Sequence, residues 1–133
     1  MSEYNSQPIN AMFSKNEMES RYDNARAMMA HLELDAILIS NEENFQYFTG
    51  TTGTIALHHS NTRPAIFILP LERDPIILTG KVVSMSLDKS CYIKDLRGYT
   101  NIVDFPYDMT LQAINDAGLR KNRIGVELGL EQR

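Results

Sequence analysis

The 133-residue chain has a single cysteine, Cys91, so no disulfide can close within it, and that usage fits a reducing compartment. Basic side chains are also few: 13 lysines and arginines stand against 17 aspartates and glutamates, for a formal charge of -4. A surface that tracks a phosphate backbone needs the opposite balance, so nucleic acid is not an expected partner. No apolar run approaches the roughly 20 residues needed to cross a bilayer, and no membrane partner is expected. Met1 to Ala11 has neither the basic nor the apolar stretch of a signal peptide. These absences predict a soluble, cytoplasmic protein.

Histidine is sparse as well: His31, His58 and His59. Adjacent side chains in an extended segment point to opposite faces, so His58 and His59 are poorly placed to share one ion. There is no His-x3-His or His-Glu-x2-His spacing, and no intrinsic metal site is expected. Gly-x-Ser-x-Gly, Walker A and Gly-x-Gly-x-x-Gly patterns are missing too; Thr49-Gly50-Thr51-Thr52-Gly53 lacks the lysine of a phosphate cradle. Cys91 stands in an apolar stretch without a neighbouring histidine, which reads as buried and inert. The carboxylates Asp35, Asp95 and Glu127 fall at strand ends. They read as solvated termini rather than as the converging cluster of a metal-dependent nuclease.

What is present reads as one domain over 13–133 behind a loose arm over 1–12. Ser14 followed by Glu17 has capping-box spacing, with Phe13 and Met18 placed as a hydrophobic staple. Met18, Tyr22, Ala25, Met29 and Leu32 recur at three- and four-residue steps, the stripe of an amphipathic helix. Asp35–Ser40 reads as a strand buried on both faces. A short helix follows over Asn41–Thr49, capped by Asn41 or Glu42 and ended by Gly50 at positive φ. Residues 51–62 read as a loop. Arg63–Leu69 and Pro75–Thr79 form a hairpin. Lys81–Asp88 is a short helix, Cys91–Leu96 a half-buried strand, Asp108–Ala117 a helix ended by Gly118, and Arg123–Glu127 a last strand. The fold class is α/β: a mixed sheet with flanking helices in three layers.

Four motifs carry a family resemblance. They are Phe13-x3-Glu17-x3-Arg21 with Met28 and Met29; Leu34–Ile39 running into Glu43-Asn44-Phe45-Gln46-Tyr47-Phe48-Thr49-Gly50; the Arg63–Leu78 hairpin; and Arg123-Ile124-Gly125-Val126-Glu127. In order and spacing they resemble the N-terminal domain of the creatinase/prolidase family, which includes Xaa-Pro aminopeptidases. Read as residues alone, Asn44 is a local cap, Tyr47 and Phe48 are packing groups, and Gly125 marks a bulge or a close approach. Glu33 departs from the family, which commonly places glycine there. A left-handed glutamate costs about 1–2 kcal/mol, so the helix is expected to end differently.

The resemblance implies a ribonuclease H-like topology. It also implies that chemistry belongs to a following pita-bread domain, absent from this chain, whose divalent metal ions are held by two aspartates, a histidine and two glutamates. It implies a non-catalytic role here, in dimerisation and in shaping an active site through residues 51–63. His58, His59 and Arg63 are then the substrate-contacting candidates, Arg63 as a bidentate carboxylate partner or simply as a solvated strand-start charge. The expected partners are the chain's own catalytic domain and a second subunit; no cofactor is expected within this chain. The alternative is a stand-alone ligand-binding or assembly module on the same fold.

Overall fold

A computed structural model of the chain describes residues 8–51, 64–101 and 103–127. The Ser14 side-chain oxygen accepts the Glu17 N–H at 3.1 Å, and α1 (Lys15–His31) runs from that cap. Met18, Tyr22 and Met29 are buried along one face, with Ala25 packed beside them. Leu32, expected to close this stripe, is instead 52% exposed. It is the C-cap, and the chain reverses at Glu33, whose φ is 57°. The Leu34 N–H then returns to Met29 O at 2.8 Å and the Glu33 N–H to Ala30 O at 3.2 Å. This Schellman closure carries Leu34 onto the core in place of Leu32. The helix therefore ends as it would with glycine. Glu33 bears the strain because both closing bonds and the packing of Leu34 require the left-handed turn.

Among the described residues five strands follow: β1 (Ala36–Ile39), β2 (Ile66–Pro70), β3 (Ile76–Gly80), β4 (Asp95–Tyr99) and β5 (Ile124–Val126), in the sheet order β4-β3-β2-β1-β5. β2 pairs antiparallel with β1 and β3, giving the expected hairpin with Phe67 opposite Ile77. β3 pairs parallel with β4, and β1 pairs parallel with β5. The period of two in β2 and β3 divides the core. Phe67, Leu69 and Ile77 face Met18, Tyr22 and Met29 of α1, Phe45 of α2 (Glu42–Thr49) and Leu87 of α3 (Lys81–Leu87). Ile66, Ile68, Ile76 and Leu78 face Ala113 of α4 (Tyr107–Asp116). The domain is a three-layer α/β structure with a mixed sheet, and β2 is buried on both sides.

One strand differs from its expectation. The extended run begins at Asp95, not at Cys91. The Ser90 and Cys91 N–H groups fold back onto Leu87 O at 2.9 and 3.0 Å, so these residues close α3. Cys91 and Ile93 are buried, but as loop residues in the cluster that holds Met18 and Tyr22. Gly98 explains where β4 lies. α3 leaves β3 with no linker, and a Cβ at position 98 would fall 2.7 Å from Lys81 Cα and 2.5 Å from Ser84 Oγ. Of the arm expected over 1–12, residues 8–12 are described; there the Asn10 N–H donates to Lys89 O at 2.7 Å.

Candidate functional site

Four polar residues of the family-like motifs, Glu17, Arg21, Asn44 and Glu127, gather around α2. At its N-terminus, Asn41 is the cap, its Oδ1 accepting the Glu43 and Asn44 N–H groups at 2.9 and 3.3 Å. Asn44, read from sequence as a local cap, reaches further: its Nδ2 donates to Glu127 Oε2 at 2.7 Å. The other oxygen of Glu127 accepts the Ser40 N–H at 2.5 Å and the Asn41 N–H. Three donors thus converge on one carboxylate, placed where the helix dipole favours negative charge.

The C-terminal end of α2 is held from α1. Arg21 Nη1 donates to Tyr47 O at 2.7 Å and its Nε to Glu17 Oε1 at 3.1 Å. The guanidinium lies 4.2 Å from the Phe13 ring centroid and 4.5 Å from that of Tyr47. Tyr22 Oη donates to Phe48 O at 2.7 Å. Burial pushes the Tyr22 phenol well above its ordinary pKa, with Cys91 adding to the rise, so it remains a donor across the working range. These two side chains satisfy carbonyls that a helix end leaves without intrahelical partners. Gly50 follows at φ 70°, with Met18 Sδ 3.2 Å from the place a Cβ would occupy. Thr49 Oγ1 donates to Phe45 O at 2.7 Å and lies 3.1 Å from Thr51 Oγ1, both side chains being buried. The chain leaves α2 from a fixed platform.

Beside α1 lies a cleft of ≈ 540 Å³, with Met18, Tyr22 and Ile93 as apolar lining and Asp23, Asp74 and Lys94 among its charged residues. Arg26 also lines it, but its guanidinium is engaged: Nε donates to Pro70 O at 3.1 Å and Nη2 to Arg73 O at 2.5 Å, fixing the β2–β3 turn. Burial raises the Cys91 thiol above its ordinary pKa, in keeping with an inert side chain.

His58, His59 and Arg63, the candidates in sequence, lie outside the described residues. The three strand-end carboxylates are not simple solvated termini. Asp35 Oδ2 accepts the Arg123 N–H at 2.8 Å. Asp95 pairs with Arg97 at 2.9 and 3.0 Å, and Glu127 has the three donors above. They do not converge either, since β4 and β5 are opposite edges of the sheet. Among the described residues no three His, Cys, Asp or Glu side chains come together as a metal site. The divalent ions implied by the resemblance therefore have no ligand set within these segments. Arg21, Asn44 and Glu127 are visible in sequence as motif positions, whereas their contacts form only in the fold. The Glu17–Arg21 spacing was the one available signal, because i and i+4 face each other on a helix.

The sequence profile of the creatinase/prolidase N-terminal domain matches residues 21–130. The chain belongs to the creatinase/prolidase N-terminal domain family. Among solved structures this creatinase/prolidase domain is similar to the Xaa-Pro dipeptidase from Bacillus anthracis, at 15% identity and a TM-score of 0.64. The match covers 86% of this chain and 29% of that one. It is also similar to the N-terminal domain of the Xaa-Pro dipeptidase from Lactobacillus brevis, at 12% identity and TM-score 0.64, over 84% of this chain and 81% of that one. The Xaa-Pro aminopeptidase from Streptococcus pyogenes matches at 13% identity and TM-score 0.62, over 86% and 94%. At such identities these are likenesses of fold. Comparison by sequence with curated proteins gives no match. The creatinase/prolidase domain thus spans under a third of the Bacillus anthracis enzyme it resembles.

Proposed function

We propose that this chain acts as the non-catalytic N-terminal domain of a metal-dependent Xaa-Pro peptidase or creatinase-like hydrolase. In this role it works in the cytoplasm, supports a homodimer and helps shape an active site supplied by a following catalytic domain. The observation that carries the reading is the family match over residues 21–130. The use of the motif residues supports it: Arg21, Asn44 and Glu127 bind helix ends and backbone, the work of a scaffold. Among the described residues, no helix is long and apolar enough to cross a membrane. Residues 51–63 begin where α2 is pinned, and in this reading they carry His58, His59 and Arg63 toward a substrate, with Arg63 pairing a carboxylate.

Hydrolysis of Xaa-Pro dipeptides by the isolated chain, with and without added divalent metal, tests the first part. No turnover is expected, and robust metal-dependent turnover would overturn the reading. In a protein joining this domain to a catalytic domain, Arg63→Ala should raise KM or lower kcat/KM. Unchanged kinetics would remove Arg63 from the site while leaving the accessory role standing.

A further inference from the structure

Helix α2 has eight residues, Glu42–Thr49. An isolated helix of that length is marginal in water, because too few hydrogen bonds follow the costly first turn. Its persistence here depends on two buried side chains, Phe45 and Thr49, and on what holds its ends. The ends are held by different parts of the molecule. Glu127, just after β5, accepts from Ser40, Asn41 and Asn44 at one end. Arg21 and Tyr22, from α1, donate to Tyr47 O and Phe48 O at the other.

We propose that α2 is a coupling element, in which the Glu127 clamp and the Arg21 clamp bias one shared helix–coil equilibrium. Loosening either clamp then releases the far end as well as the near one, and the effect is reciprocal, as linkage requires. A helix twice as long would fray at each end independently. In one of eight residues, about 12 Å long, opening at Asn44 removes the bonds that hold the next turn. Glu127, just after β5, and Thr51, just after α2, are thereby coupled through the helix between them. The physical basis is a two-state element whose balance both sites bias. The coupling is a property of the domain itself, independent of the function proposed above.

Amide hydrogen exchange on the 133-residue chain, read by NMR, tests it. The reporters are the Phe45 N–H, bonded to Asn41 O at 2.9 Å, and the Gly50 N–H, bonded to Gln46 O at 2.8 Å. Ile77, in the fully buried middle of β3, reports the sheet. Glu127→Ala should lower protection at Gly50 as well as at Phe45, by about tenfold or more relative to Ile77. Arg21→Ala should do the same at Phe45. Where Glu127→Ala also loses the sheet amides, Asn44→Ala removes only the side-chain bond and is judged by the same criterion. Loss confined to the mutated end in these variants would overturn the coupling.

Discussion

Asn44 Nδ2 donates to Glu127 Oε2 at 2.7 Å, across 83 residues of sequence. This bond joins two of the motifs that carry the family resemblance, and it replaces the two separate local roles read from sequence. Asn44→Ala should destabilise the fold by about 1–2 kcal/mol, because a charge-assisted bond is lost while two backbone donors remain on Glu127. Asn44→Asp should be worse than Asn44→Ala, since it removes the donor and sets a second carboxylate against the first. Urea midpoints at neutral pH should fall in the order wild type, alanine, aspartate. An aspartate variant as stable as wild type would contradict the geometry.

Glu33 occupies the left-handed position of the α1 closure at φ 57°. Glu33→Gly should stabilise the domain by about 1 kcal/mol, by relieving the Cβ strain that a left-handed residue bears. The ion pair given up is with Arg123 at 3.6 Å, and both side chains are largely exposed, so its loss should weigh little. The check is the thermal midpoint, which should rise.

Two glycines should respond unequally to alanine. At Gly98 a Cβ meets the Lys81 backbone at 2.7 Å, and backbone cannot step aside. Gly98→Ala should cost about 1–3 kcal/mol through displacement of α3. At Gly125 the nearest atom is Leu34 Cδ1 at 2.8 Å, the tip of a side chain that can rotate. Gly125→Ala should cost less, and equilibrium unfolding of both variants makes the comparison.

Acid should weaken the attachment of α4. Arg97 Nη1 donates to Asp116 Oδ2 at 2.6 Å and Gln112 Nε2 to Asp116 Oδ1 at 2.7 Å. The bond from Arg97, then the one from Gln112, holds the Asp116 carboxyl below its ordinary pKa. Because the folded-state value lies below the unfolded one, the stabilisation is complete above about pH 4 and is lost as pH falls through the folded value. Asp116→Asn should therefore lower the urea midpoint at pH 7 but make little difference near pH 2. An equal deficit at both pH values would separate Asp116 from the acid response.

The parts of the fold legible in sequence were those set by local rules. The Ser14 cap, the α1 stripe as far as Met29, the Asn41 cap, the positive φ of Gly50 and the β2–β3 hairpin each follow from residues within a few positions of one another. The departures come from long-range demands. Cys91 and Ile93 are as buried as strand residues, so hydropathy alone marks them as strand, yet the close of α3 decides their backbone. Leu32 fits the helical period but lies beyond the point where Glu33 turns the chain. Around α2 the residues were visible and their partners were not. A guanidinium between Phe13 and Tyr47, and a carboxylate gathering donors from β1 and α2, exist only once distant segments are packed.

The sheet order places β1 between β2 and β5. During synthesis from the N-terminus, β1 can pair with β2 early, but its other side has no strand until Ile124–Val126 emerge, some 85 residues later. Ala36-Ile37-Leu38-Ile39 is an uncharged, β-prone sequence, and an uncovered backbone of that kind is a template for pairing with other chains. Formation of the β1–β5 ladder is a late, high-separation event expected to slow folding. Losing three residues, Ile124–Val126, would leave most of the core side chains in place while turning β1 into an uncharged, exposed edge.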